Sequence, residues 1–333
     1  MAKKYVRFNY FEVKLVLGKI ALEEDLKSVI QEDVTQNYAS ADLWDMSGFL
    51  DHLMTHKNDF RSSYTLGDEI AELEHDSYSF DSRFNLYGFQ VAKLRDTNIP
   101  SKKKLGKIKE DIMLDDDEYI GEFVSILYDN LYKVVMVQSN LYGLSIKKIE
   151  QYLSELRFRY LEDKGNTEQE PFLVRLTPII DSSKIDLALG ADYYRKINIK
   201  ASDVSLDASM TEDSLISDMR RTLLRTAGVN IEMQISLGST EKTRSLDETV
   251  VRGALEEFKR ISPGKRPRIE LTMRENEESE IEVINLLEPR MTDRLSIEIE
   301  PRTTIAHEYL FDIMKEKYKH KRREVRKVLG IIE

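Results

Sequence analysis

The sequence predicts an α+β fold in two domains, with largely antiparallel sheets, flanking helices and a long C-terminal helix. Two observations carry this. Runs of β-branched and aromatic residues come in adjacent pairs, as in Gly121–Tyr128 followed by Lys133–Ser139 around Asp129-Asn130, and two such runs joined by a short turn form an antiparallel hairpin. Short amphipathic segments of helical period are mixed in among these strand pairs, a pattern of α+β proteins. The 333-residue length is a soft prior for two domains, and a hydrophobic fraction of 41% is enough to bury substantial cores.

Taken in order, Tyr5–Leu15 reads as a strand and Glu23–Gln31 as a helix with Leu26, Val29 and Ile30 on one face. Ser40–His56 is a second amphipathic segment, broken or kinked near Gly48, and Thr65–Leu73 carries no decisive period. Ser77–Arg95 reads as two strands, the second of which, Gly88–Arg95, alternates apolar and polar residues as a half-buried strand does. The lysine-rich stretch Asp96–Asp111 reads as a solvated polar loop. Ser145 is placed to N-cap a helix carrying Ile146, Ile149, Tyr152, Leu153 and Leu156.

Asp163–Pro171 is polar and contains Gly, Asn and a closing Pro, as a linker would. It divides the chain into an N-terminal domain, 1–162, and a C-terminal domain, 172–333. Strands follow at Phe172–Ile180 and Arg195–Lys200, then a helix over Asp213–Thr226 with Gly228 as its C-cap. Val229–Leu237 is a strand, and Ser245 with Glu248 makes a capping-box signature for a helix reaching Ile261. Strands at Arg268–Arg274, Glu280–Leu287 and Leu295–Glu300 precede a terminal helix over Thr304–Leu329.

Composition limits the chemistry. The absence of Cys excludes disulfides, thiolate metal sites and cysteine nucleophiles. No apolar run approaches the length of a membrane span, and the N-terminus lacks the apolar core of a signal peptide, so the expected location is cytoplasmic. Neither a Gly-x-x-x-x-Gly-Lys nor a Gly-x-Gly-x-x-Gly motif is present. His52 and His56 share a helical face at the spacing of metal-binding helices, but no third ligand stands out. Glu12-Val13-Lys14 matches half of a restriction-type nuclease site. Arg302 and His307 have the Arg-x4-His spacing of the HEPN ribonucleases, whose fold is an all-helical bundle. No cofactor or metal is expected.

Charge is segregated. The net charge is −10, yet Lys315–Lys327 holds eight Lys or Arg against two Glu, and Lys259–Arg268 holds Lys259, Arg260, Lys265, Arg266 and Arg268 with no acid. A basic helix of this kind meets a phosphate backbone and releases counterions on binding. The candidate DNA contacts are Lys315, Lys319, Lys321, Arg322, Arg323, Arg326 and Lys327, with Lys265, Arg266, Arg268 and Arg274 from the second segment and its neighbouring strand. Reversing Arg322, Arg323, Arg326 and Lys327 to Glu is expected to abolish binding and leave the fold intact.

The order of features resembles the RexA-like phage-exclusion proteins of lambdoid prophages. The resemblance rests on DDDEYIG at Asp115–Gly121, the following hairpin with Ser125 and Leu127, then Gly143, Ser145 and Tyr152-Leu153. It continues through Leu176-Thr177-Pro178, a strand before Asp203, the VNIEMQISL strand, a hairpin at 269–287 and the basic terminal helix, and covers Gly88–Leu329. It implies a fold related to the ring protein RdgC and a homodimer that binds double-stranded DNA without sequence preference. It also implies a role in abortive phage defence beside a membrane-channel partner, which would recruit the protein to the inner membrane face. Arg274 stands where the family hairpin carries a basic residue, but Asn276 replaces the next one and acids follow. That departure moves the expected DNA contact to the terminal helix. A HEPN-like ribonuclease toxin and a protein-only module recognising a phage component are the competing readings.

Overall fold

In the computed structural model, the structure describes residues 2–21, 42–166, 168, 170–181, 183–202, 214–241, 243–261, 266–279, 281–286 and 289–331. The helix expected over Glu23–Gln31 lies outside these residues, as do Lys265 and Asp203. The strands are β1 Ala2–Leu17, β2 Asp42–Leu43, β3 Tyr64–Leu66, β4 Glu69–Leu73, β5 Ser79–Asp81, β6 Leu86–Arg95, β7 Ser101–Lys103 and β8 Lys109–Asp111. They continue with β9 Ile120–Asp129, β10 Val134–Ser139, β11 Phe172–Pro178, β12 Tyr193–Ser202, β13 Asn230–Ser236, β14 Arg268–Arg274, β15 Glu282–Asn285 and β16 Thr292–Ile299. The helices described are α1 Ser47–Thr55, α2 Ile146–Asp163, α3 Ser183–Leu189, α4 Leu215–Thr226, α5 Glu248–Arg260 and α6 His307–Val328.

Strand β1 organises the first unit because both of its faces are apolar. Val6, Phe8 and Tyr10 point into one core cluster, and Phe11 and Val13 into another. Such a strand is central to its sheet. Its neighbours bear this out: β16 pairs Ala2–Asn9 and β11 pairs Phe11–Leu17, while β10 pairs Arg7–Glu12 and β2 pairs Lys14–Leu15, all antiparallel. The sheet runs β11-β1-β10-β9-β6-β4-β3, with β16, β2 and β5 attached to its sides. The same alternation sends Val135 and Val137 of β10 into the cluster with α1 and α2, and Val134 and Met136 into the cluster with α6. Helices therefore cover both faces.

The unit boundaries differ from the sequence expectation. Asp163–Pro171 does not separate two domains. The compact units are Met1–Ile179 with Met291–Glu333, and Ile180–Arg290. The reason is pairing: β11, placed by sequence in the second domain, completes one side of β1, and β16 continues that side after the chain returns. The two strand ends meet at Tyr10, whose carbonyl accepts from the Ile179 amide at 3.0 Å and whose amide donates to the Met291 carbonyl at 3.3 Å.

The second unit is a four-stranded antiparallel sheet, β13-β12-β14-β15. Ile197, Ile199, Ile269, Leu271 and Met273 face Met219, Leu223, Leu255 and Phe258 of α4 and α5. A register shift between Tyr194 and Lys196 lets Tyr194 and Ile197 both turn inward, as a bulge does.

Local signals mostly hold, with four corrections. Ser145 caps α2, accepting from the Lys148 amide at 3.3 Å. The helix of the Ser40–His56 segment is confined to Ser47–Thr55, with Gly48 in its first turn and Asp42–Leu43 in a strand before it. The left-handed cap of α4 is Ala227, with φ of 52°, rather than Gly228. Asp247, not Ser245, caps α5, accepting from the Val250 amide at 3.1 Å, while Ser245 instead accepts from the Tyr194 amide at 2.9 Å. Asp96–Asp111 is not an unstructured loop, because β7 and β8 pair within it.

Helix α6 approaches the sheet where β6 has no side chain. A Cβ on Gly88 would lie 2.2 Å from Phe311 Cε2. Gly88→Ala is therefore expected to lower unfolding stability by about 1–3 kcal/mol through overpacking. Pairing it with Phe311→Leu should recover part of the loss in denaturant titrations. Equal stability of wild type and Gly88→Ala would show that the helix does not seat there.

Candidate nucleic-acid interface

The spacing of Leu310, Phe311, Met314, Tyr318 and Val325 gives α6 one apolar stripe, and all five are buried. A polar network fixes the helix to its sheet. Asp129, at the end of β9, is fully buried and accepts from the Leu131 amide at 2.8 Å and from Arg322 Nη2 at 3.0 Å. Arg322 Nε lies 2.9 Å from the other carboxylate oxygen, and its guanidinium covers the Tyr132 ring at 5.0 Å. Tyr10 donates to Asp293 at 2.6 Å, and Lys317 pairs with the same carboxylate at 3.3 Å. Burial, with Asp293 adding to it, holds the Tyr10 phenol far above its ordinary pKa, so it stays a donor.

This network divides the candidate DNA contacts. Lys315 pairs with Asp312 at 3.1 Å and lies 3.8 Å from Asp81. Lys319 pairs with Glu316 at 2.8 Å and covers the Phe84 ring at 4.3 Å. Lys321 pairs with Glu324 at 2.6 Å. Arg322 is committed to Asp129, and half-buried Arg326 leans over Tyr132 at 5.9 Å. Arg323 and Lys327 are exposed and form no ion pair among the described residues. The expectation that reversing Arg322 would leave the fold intact is corrected: its partner is a buried carboxylate brought from a distant strand.

In the second unit, the candidate arginines also make internal contacts. Arg266 donates to the Ile261 and Lys259 carbonyls at 2.8 and 3.1 Å, closing the end of α5. Arg274 is buried and donates to the Ser279 carbonyl at 3.0 Å and to the Glu277 carbonyl, holding the acidic turn. Arg268 lines a small hollow of about 110 Å³ with Asn198, Lys200 and Glu270 on the face of the sheet.

The catalytic and metal candidates do not assemble. Arg302 is exposed in a left-handed turn with φ of 68°, while His307 Nδ1 lies 3.3 Å from the buried Ser125 hydroxyl. Helix α6 packs on a sheet rather than in a helical bundle. His307 also lines an open cleft of about 530 Å³ whose charged residues are Asp76, Asp81, Glu308, Asp312 and Lys315, four carboxylates against one ammonium, a balance that disfavours anions. His52 and His56 stack at 4.2 Å, with His52 Nε2 3.3 Å from Asp163. Among the described residues no group of three His, Asp or Glu is placed to hold a metal ion. Glu12 and Lys14 pair with each other at 3.1 Å.

What remains is a gradient along α6. The exposed stripe reads Glu308, Asp312 and Glu316 in the first half, then His320, Arg323 and Lys327 in the second. This order complements the helix dipole and leaves one cationic end. Sequence reasoning did not single out His320, although its place between Glu316 and Arg323 at helical spacing was readable.

The chain matches the model of a family of unknown function, DUF6731, over residues 1–327, and belongs to that family. No curated protein matches it. Among the described residues no helix is long and apolar enough to cross a membrane.

Two outcomes follow. Arg322→Ala strands the buried Asp129 carboxylate and is expected to cost about 3–5 kcal/mol in denaturant unfolding, whereas Arg323→Ala should change stability by less than about 0.5 kcal/mol. Equal effects would remove the anchor role. Burial depresses the His307 pKa below its ordinary value of 6.5. The unfolded chain therefore takes up that proton first, and the stability His307 contributes is complete above pH 6.5 and falls away below it. His307→Gln should flatten the stability profile on the acid side, and parallel curves for variant and wild type would refute this.

Proposed function

We propose that the protein binds double-stranded DNA without sequence preference and acts as a sensor or effector subunit in anti-phage defence, by binding and without chemistry of its own. The observation that carries this reading is the cationic end of α6. His320, Arg323 and Lys327 follow one another along one exposed stripe, with half-buried Arg326 beside them. From first to last they span about 10 Å at 1.5 Å per residue, long enough to meet several phosphates of one duplex. The helix is anchored through Arg322 and Asp129, so this end is held rigidly and loses little entropy on binding.

The rest of the stripe is acidic, and the whole chain carries −10. Contact is therefore confined to the helix end, and association weakens steeply with salt. The RexA-like order of elements supports the same reading, together with a homodimer, a cytoplasmic location and a membrane-channel partner from the same defence module. Two copies would present two such helix ends to one duplex, and linkage of two weak contacts raises overall affinity.

The test is fluorescence anisotropy with a labelled duplex over a salt series. Arg323→Glu with Lys327→Glu should leave unfolding stability unchanged and weaken binding by at least about tenfold. The log–log salt slope should become shallower by about 0.9 for each phosphate that the variant no longer neutralises. Unchanged binding by the variant would overturn the assignment of this surface, and no binding by wild type at low salt would overturn the function.

A further inference from the structure

Strands β7 and β8 form a two-stranded sheet that pairs with no other described strand. Lys103 pairs with Lys109 across it, and Gly106 supplies the left-handed residue of the turn, with φ of 73°. An isolated hairpin of this size is marginal in water and gains independent stability only by packing on something. This one is exposed throughout: every residue from Ser101 to Asp111 is solvent-facing. Leu105 at the tip is 100% exposed and Ile108 is 86% exposed.

More exposed apolar side chains follow along the chain. Met113, at 87% exposure, follows the hairpin, and Tyr119 is also exposed. Asn140 Nδ2 donates to the Phe123 carbonyl at 3.0 Å, which brings the exposed Leu141 and Tyr142 beside the start of β9. Apolar side chains left this exposed among charged ones suit burial against a partner.

The charges decide what fits it. Lys102, Lys103, Lys104, Lys107 and Lys109 occupy the hairpin and make no ion pair among the described residues. Asp115, Asp116, Asp117 and Glu118 follow within a few residues, all exposed. A duplex approaching the lysines would meet repulsion from these carboxylates, which follow a few residues along the chain. A second copy meets no such penalty. A surface with a basic tip and an acidic base is self-complementary about a twofold axis, since each tip faces the other copy's base.

We infer that this end of the first unit is the dimer interface of the protein. The basic hairpin of each copy lies against Asp115–Glu118 of the other, and Leu105 and Ile108 are buried between them. The surface is separate from the cationic end of α6, so this inference stands without the nucleic-acid reading.

Sedimentation equilibrium of the full chain tests it. Wild type is expected to be dimeric at micromolar concentration. Lys102→Glu/Lys103→Glu/Lys104→Glu and, separately, Asp115→Lys/Asp116→Lys/Asp117→Lys should each weaken self-association about 100-fold, since like charges then face each other. Both variants should keep the circular dichroism of wild type, because none of the six side chains is buried. Mixing the two variants should restore a dimer containing one copy of each. Leu105→Ala/Ile108→Ala should weaken the dimer without changing its charge complementarity. A monomeric wild type, a dimer indifferent to either charge reversal, or a mixture that stays monomeric would each overturn the inference. So would a lysine variant that stays dimeric but no longer binds duplex in the anisotropy assay, which would make the hairpin a nucleic-acid contact.

Discussion

The two-sided pairing of β1 is the constraint on which the first unit depends. One strand, Ala2–Leu17, hydrogen-bonds β10 and β2 on one side and β16 and β11 on the other. Its side chains feed both cores, so no register slip is tolerated: a shift of one residue would exchange Tyr10 and Phe11 between clusters that differ in shape and polarity. Tyr10 shows how much depends on one position. Its backbone joins the ends of β11 and β16, its ring stacks on Tyr318 with centroids 6.1 Å apart, and its hydroxyl holds Asp293.

From that sheet the terminal helix acquires its orientation and its division of labour. Basic residues that turn toward the sheet or its rim meet Asp129, Asp293 or Asp81, and those that turn outward in the last turns meet only solvent. The high density of Lys and Arg in this helix therefore serves two purposes. Most of it attaches the helix and offsets local acids, and a smaller part is free to meet an anionic partner. A surface ion pair such as Lys321 with Glu324 contributes little stability, whereas the pair built on Asp129 is costly to break.

Much of this was legible in the sequence where the signal is local. The β9–β10 hairpin, the Ser145 cap and the extent of α6 follow from alternation, one side-chain oxygen and one apolar stripe. What could not be read was partner choice. Nothing in the periodicity of Phe172–Ile180 says that it pairs with the first strand, so a polar stretch before it read as a domain linker. The commitment of Arg322 was hidden for the same reason, because Asp129 is far away in sequence and looked like a turn residue. The β7–β8 hairpin escaped because both of its faces are solvated, which leaves no alternation to detect. Ala227 took the left-handed position one residue before the glycine that sequence reasoning favoured.

The insertion of Ile180–Arg290 between β11 and β16 has a consequence for how the protein is made. The central strand leaves the ribosome long before β16, the neighbour that completes its N-terminal half. The new chain must hold Val6 and Phe8, both buried in the finished fold, away from other molecules until Thr292–Ile299 has been synthesised. The inserted unit, with its own sheet and core, can fold during that wait. Assembly of the first sheet is then a late, long-range closure, of the kind that makes β-rich chains slow to mature and dependent on protection while they do so.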